Sequence, residues 1–196
     1  LKSEYAGRAE FEWRIALMNS QDFPVSRSQC DWFYRRSGGT VMNSPVMLNS
    51  GWYEDARKGA FDNPSLVAEA GKDFGFSDDT IRLALSRAAV IEGRKVGDLA
   101  VAVAVASKAS GIPAKKLRAR AEFAAVRARA EASTAEFYAH RISQRPAFIL
   151  EDAIGDKAVF SGLVAFEPIA ATIDAMLRDT AAYAAHRAHH GEMPKK

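Results

Sequence analysis

The chain has 196 residues, 48% apolar and 26% charged, which suits one domain, or one fold carrying a large insertion, with room for a real core. No apolar run approaches the length that crosses a bilayer, the closest being residues 99–106, so no membrane-spanning helix and no membrane partner are expected. The formal charge of +3 is only mildly basic, and a lone Cys30 excludes an internal disulfide and a Cys-x-x-Cys zinc site while favouring a reducing, cytoplasmic compartment.

Residues 1–5, ending at Gly7, read as the tail of a helix. Phe11, Trp13, Ile15 and Leu17 then alternate with Glu10, Glu12, Arg14 and Ala16, and that period of two predicts a strand. Phe23-Pro24 breaks the chain, and Ser26 caps a short helix reaching Tyr34 or Arg36. Residues 38–59 are the least regular and carry Pro45, Trp52 and Tyr53.

A run of helices follows. Asn63-Pro64 predicts an N-cap with proline at the first helical position, and Gly75 closes that helix. Ser77 opens the next, which runs to Gly93 with Ile81, Leu85 and Ala88 on one face. Asp98 caps a helix to Gly111 that is rich in Ala and Val and therefore buried on most sides. Pro113 starts a basic helix reaching Ala132, with Lys115, Lys116, Arg118, Arg120, Arg127 and Arg129. No aromatic residues interleave with these cations to stack bases, so a solvated face is expected and no nucleic-acid partner. Ser133 and Glu136 form a capping box for one more helix, ending around Arg141.

The pattern then changes. Ala147-Phe148-Ile149-Leu150 begins just after Pro146 and reads as a buried strand. Residues 157–161 form a second strand, and the turn containing Gly155 between them predicts an antiparallel hairpin. The last helix has Pro168 in its first turn and a stripe of Ile169, Ile173, Met176, Thr180 and Ala184. His186, His189 and His190 lie at one-turn spacing near its end. They read as an exposed helix terminus where histidine suits the dipole, and no metal site is expected. Residues 191–196 read as a frayed tail.

Residues 133–149, S-T-A-E-F-Y-A-H-R-I-S-Q-R-P-A-F-I, together with the hairpin bearing F-S-G at 160–162 and the closing amphipathic helix, resemble the carboxy-terminal half of DsbA-family thioredoxin-fold proteins. Residues 1–17 are similar to the end of that family's first helix and its second strand. The resemblance implies an α/β, thioredoxin-like sheet with a large helical insertion, mostly helical by content. Residues 1–25 and 143–190 would form the core and residues 26–142 the insertion. It implies one sheet containing residues 11–17, 147–150 and 157–161.

In that family the proline ahead of the strand is cis, so the resemblance implies a cis Arg145–Pro146 bond and assigns Gln144, Arg145 and Pro146 to substrate binding. Arg145 departs from the small or branched residue usual there and suggests an anionic group on the ligand. The family's Cys-x-x-Cys and first strand precede the part matched here. The catalytic residues are therefore expected upstream of Leu1, in a longer natural protein, and Cys30 is not one of them.

Three functions follow from the resemblance. The first is a thiol-disulfide oxidoreductase acting on thiol or disulfide substrates, with no cofactor. The second is a glutathione-dependent transferase or isomerase similar to kappa-class transferases and hydroxychromene-carboxylate isomerases, with glutathione as co-substrate. The third is a non-catalytic binding module. A homodimer is compatible with each.

Overall fold

The computed structural model describes residues 1–18, 26, 28–29, 32, 62–162 and 165–191. They form a mostly helical mixed chain with one two-stranded antiparallel sheet. It divides into two compact units, Glu12–Ala135 and Leu1–Phe11 with Glu136–Lys196. Among the described residues, no helix is long and apolar enough to cross a membrane.

The first of these units is helical. Its helices are α1 (Asn63–Gly71), α2 (Thr80–Val90), α3 (Leu99–Ser110), α4 (Ala114–Ala121) and the greater part of α5 (Ala124–Ala139). Helix α1 packs against α2, α3 and α4, and α3 against α2 and α4. The core they enclose includes Val67, Ile81, Ala102, Ala106, Leu117, Val126 and Ala130, each fully buried. Small side chains let the helices approach closely. A Cβ on Gly71 would collide with Ile81 Cδ1, so glycine is what admits that isoleucine.

Helix boundaries differ from the sequence expectation where side chains have other partners. Asp62, not Asn63, is the N-cap of α1, because the Asn63 amide donates to the Gly97 carbonyl at 2.8 Å. Asp78, not Ser77, organises the start of α2 by accepting bonds from the Thr80 amide and hydroxyl. The basic helix is two helices, broken at Glu122 and Phe123. Its buried positions are Leu117, Ala121, Val126 and Ala130, and the step of five in the middle does not fit one continuous helical face. The break restores Val126 and Ala130 to the core. Ser26 does act as a cap, accepting from the Gln29 amide at 3.2 Å, while most of the helix expected there lies outside the described residues.

Residues 10–18 are the main correction. They lie in no described strand, and the sheet has two strands rather than three. The alternation is present as burial, with Trp13, Ile15 and Leu17 packed on the helical core and Glu12 and Arg14 exposed. The bonding, however, is to side chains. Lys72 Nζ donates to the Trp13 carbonyl at 3.2 Å, the Ser133 hydroxyl donates to the Ile15 carbonyl at 2.6 Å, and the Leu17 amide donates to Thr134 Oγ1 at 2.9 Å. Ser133 and Thr134 are therefore mid-helix residues of α5 holding an extended segment, not members of a capping box. The Trp13 indole also donates to the Asp78 carbonyl, and Lys72 lies 4.0 Å from the Trp13 ring centroid.

A charge network joins α1 to α4 and α5. Glu69 is only 5% exposed, and Lys72 and Arg129 bind its two carboxylate oxygens at 3.0 and 3.1 Å. Arg129 also reaches Asp73 at 3.1 Å, and Arg120 pairs with the same Asp73 oxygen. Burial pushes the Asp73 carboxyl up, but hydrogen bonds from Arg120 and Arg129 outweigh it and hold the group below its ordinary value.

The second unit is built on β1 (Ala147–Glu151) and β2 (Lys157–Ser161), with α6 (Phe166–His190). The register pairs Phe148 with Phe160, Ile149 with Val159 and Leu150 with Ala158. Phe148, Leu150 and Phe160 pack with Tyr5, Ile169 and Ile173. Tyr5 donates from its buried ring to the Ala170 carbonyl at 2.9 Å, tying residues 1–9 to α6. Those residues form hydrogen-bonded turns rather than a helix, with amide bonds from Tyr5 to Leu1 and from Ala9 to Tyr5. Asp152 Oδ1 accepts the Ile154 and Asp156 amides and shapes the hairpin turn, where Gly155 has φ +97°.

Two measurements test the network. Arg129→Met leaves Lys72 as the remaining partner of Glu69 among the described residues, and urea denaturation followed by circular dichroism is expected to show a loss of about 1–3 kcal/mol at neutral pH. Because Asp73 titrates below its unfolded value, its contribution is present above about pH 4 and is lost as pH falls through the folded value. Asp73→Asn should therefore be less stable than the parent at neutral pH, and the gap should close in acid. A gap of constant size across that range would show that the ion pair contributes nothing.

Candidate substrate-binding loop

The residues assigned to substrate binding stand between α5 and β1. Helix α5 ends at Ala139, and the chain reverses through Arg141, whose φ of +58° is left-handed. Ile142, 3% exposed, anchors the turn. The Arg145–Pro146 peptide bond is cis, the form the resemblance implies. The Gly162 amide, at the far end of the hairpin, donates to the Pro146 carbonyl at 2.9 Å and closes the loop onto β2. Gly162 has φ +92°, and a Cβ there would lie 3.4 Å from Gln144 Cβ, so glycine suits both the backbone and the space.

Arg145 is the most constrained side chain of the loop. Its guanidinium lies 4.7 Å from the Phe137 ring centroid and 5.7 Å from that of Tyr138, and it donates to the Tyr138 hydroxyl at 3.0 Å. The two rings meet edge to face at 5.3 Å. A planar cation laid on aromatic faces keeps its charge and loses little further entropy when it meets a carboxylate. Gln144 and Pro146 are exposed and Arg145 is half-buried. Gln144, Arg145 and Pro146 thus form one short surface with Gly162, Phe137 and Tyr138 around it.

The supporting residues were not singled out from sequence. The sequence places Phe137 and Tyr138 in a capped helix, and the signal it offers is an aromatic pair seven and eight residues before an arginine. Cys30, Trp52 and Tyr53 lie outside the described residues, and Trp32 is exposed.

The basic stretch is largely neutralised within its own unit. Arg118 pairs with Glu122, Arg120 with Asp73, Arg127 with Asp62 and Arg129 with Glu69 and Asp73. That unit also holds an open groove of about 350 Å³ with an apolar floor of Leu66, Leu99, Ala121 and Ala124. Glu122, the one carboxylate among its described lining residues, is bound by Arg118. No protein-family model matches the chain, and neither a curated protein nor a solved structure matches it.

Proposed function

We propose that this chain is the substrate-holding part of a thioredoxin-like, DsbA-superfamily thiol-disulfide oxidoreductase, with the Gln144–Arg145–Pro146 loop as its substrate platform. The observation that carries the reading is the loop at the head of β1. It is closed by the bond from Gly162 to Pro146 and continues into a strand that pairs along one edge with β2 alone among the described strands. An extended substrate segment lying along the other edge would find backbone donors and acceptors beside Pro146, which is how peptides add to a sheet. Dithiol exchange needs two thiols, and residues 1–196 contain one, so on this reading the exchanging pair is not within them. The coarse architecture also fits, since α5, the loop, the hairpin and α6 follow in the order the resemblance implies.

One observation favours the glutathione-dependent alternative. Arg145 is fixed over two aromatic rings beside the loop, which suits a carboxylate-bearing thiol such as glutathione better than a neutral peptide.

The test is calorimetric titration with reduced glutathione and with a neutral cysteine peptide, alongside a disulfide-reduction assay using a dithiol donor. Binding of both thiols, equal in the parent and in Arg145→Ala, supports the oxidoreductase reading. Binding of glutathione alone that weakens by about tenfold in Arg145→Ala supports the glutathione reading. Binding of neither removes the proposed platform. Cys30→Ala is expected to leave binding intact, and exchange abolished by that substitution would mean that Cys30 is the reacting thiol.

A further inference from the structure

We propose that the end of α6 is a two-histidine chelate for a borderline divalent transition metal such as Zn2+ or Ni2+. His186 and His190 are four residues apart, so they stand one above the other on the same helical face. Their ring centroids are 4.5 Å apart. Metal–nitrogen bonds of about 2.0–2.1 Å require two ring nitrogens about 3 Å apart, which these rings reach by rotation about their side-chain bonds. The backbone under them is formed to the last turn, because the Gly191 amide closes on the Arg187 carbonyl at 2.8 Å.

The surroundings suit a cation that exchanges with solvent. Residues 181–190 are exposed on every side, so both imidazoles are accessible. The carbonyl end of a helix carries the negative end of its dipole and favours a bound cation. Tyr183, Arg187 and His189 lie within a turn of the pair on α6 itself. The His189 ring meets that of His190 edge to face at 4.5 Å, and His189 is the neighbour of His190 in sequence rather than its partner one turn away. Among the described residues no group of three or more His, Cys, Asp or Glu converges on one metal position. Among the described residues the two imidazoles are the ligands, with water for the remaining positions. Neutral imidazoles select zinc, nickel or copper over magnesium and calcium, which prefer oxygen. Binding would also clamp the last turn of a helical stretch, residues 181–190, that is exposed throughout.

The test titrates Zn2+ and Ni2+ into the whole chain by calorimetry and follows amide hydrogen exchange in the last turn of α6. One binding event is expected, weakened about tenfold or more by His186→Gln or by His190→Gln and little changed by His189→Gln. Exchange of the last-turn amides should slow with metal, and Mg2+ should give no binding heat. Metal binding that persists unchanged in both His186→Gln and His190→Gln would overturn the site. So would binding lost in Cys30→Ser but kept in the histidine variants, which would assign the metal to the thiol.

Discussion

Glu69 is an acidic side chain taken almost wholly out of water, and the helical unit is arranged around giving it partners. An ion in that position is costly unless it is paired and hydrogen-bonded. Lys72 supplies one partner from the turn after α1, and Arg129 supplies the other from α5. Arg129 then carries the connection on to Asp73, which Arg120 of α4 also holds. Three helices are fixed against one another by groups that cannot be separated without stranding a buried charge. The apolar core beneath, from Val67 and Ile81 to Leu117 and Val126, supplies the larger driving force but is less demanding of one register.

Lys72 links this network to the extended segment. The same ammonium that neutralises Glu69 lies over the Trp13 ring and donates to the Trp13 carbonyl. Further along, Ile15 and Leu17 are held by Ser133 and Thr134 of α5, so Trp13, Ile15 and Leu17 are each bonded through a side chain of the helical unit. Thr134 also back-bonds to the Ala130 carbonyl at 2.6 Å, which directs its oxygen to receive the Leu17 amide. A segment with the side-chain rhythm of a strand is thus held without a described ladder.

In the second unit a different constraint acts. The hairpin has one apolar face, formed by Phe148, Leu150 and Phe160, and it is covered by α6 and by the turns of residues 1–9. On the opposite face Ile149 and Val159 stand directly across from each other and are 41% and 43% exposed. The register that buries three aromatic and aliphatic side chains also fixes where Pro146 and Gly162 meet. The candidate loop is therefore a consequence of how the hairpin closes, with Arg145 oriented by the aromatic pair at the end of α5.

Much of the local structure was legible in the residues. The hairpin, its turn at Gly155, the closing helix with Pro168 in its first turn and the Ala/Val-rich α3 ending at Gly111 all follow from period, turn chemistry and cap signals that act over a few positions. What failed depended on partners distant in sequence. Ser133 and Glu136 have the spacing of a capping box, yet Ser133 bonds to a carbonyl 118 residues away. Residues 11–17 have the alternation of a strand, yet a strand also needs a neighbouring backbone, and alternation only says which side chains face inward. By itself the sequence determined the helical and hairpin segments and the apolar face of each, because those depend on neighbours within a turn or two. Only the tertiary structure decided that Glu69 sits among Lys72 and Arg129 and that Arg145 lies on Phe137 and Tyr138, because such contacts are set by packing and side-chain geometry.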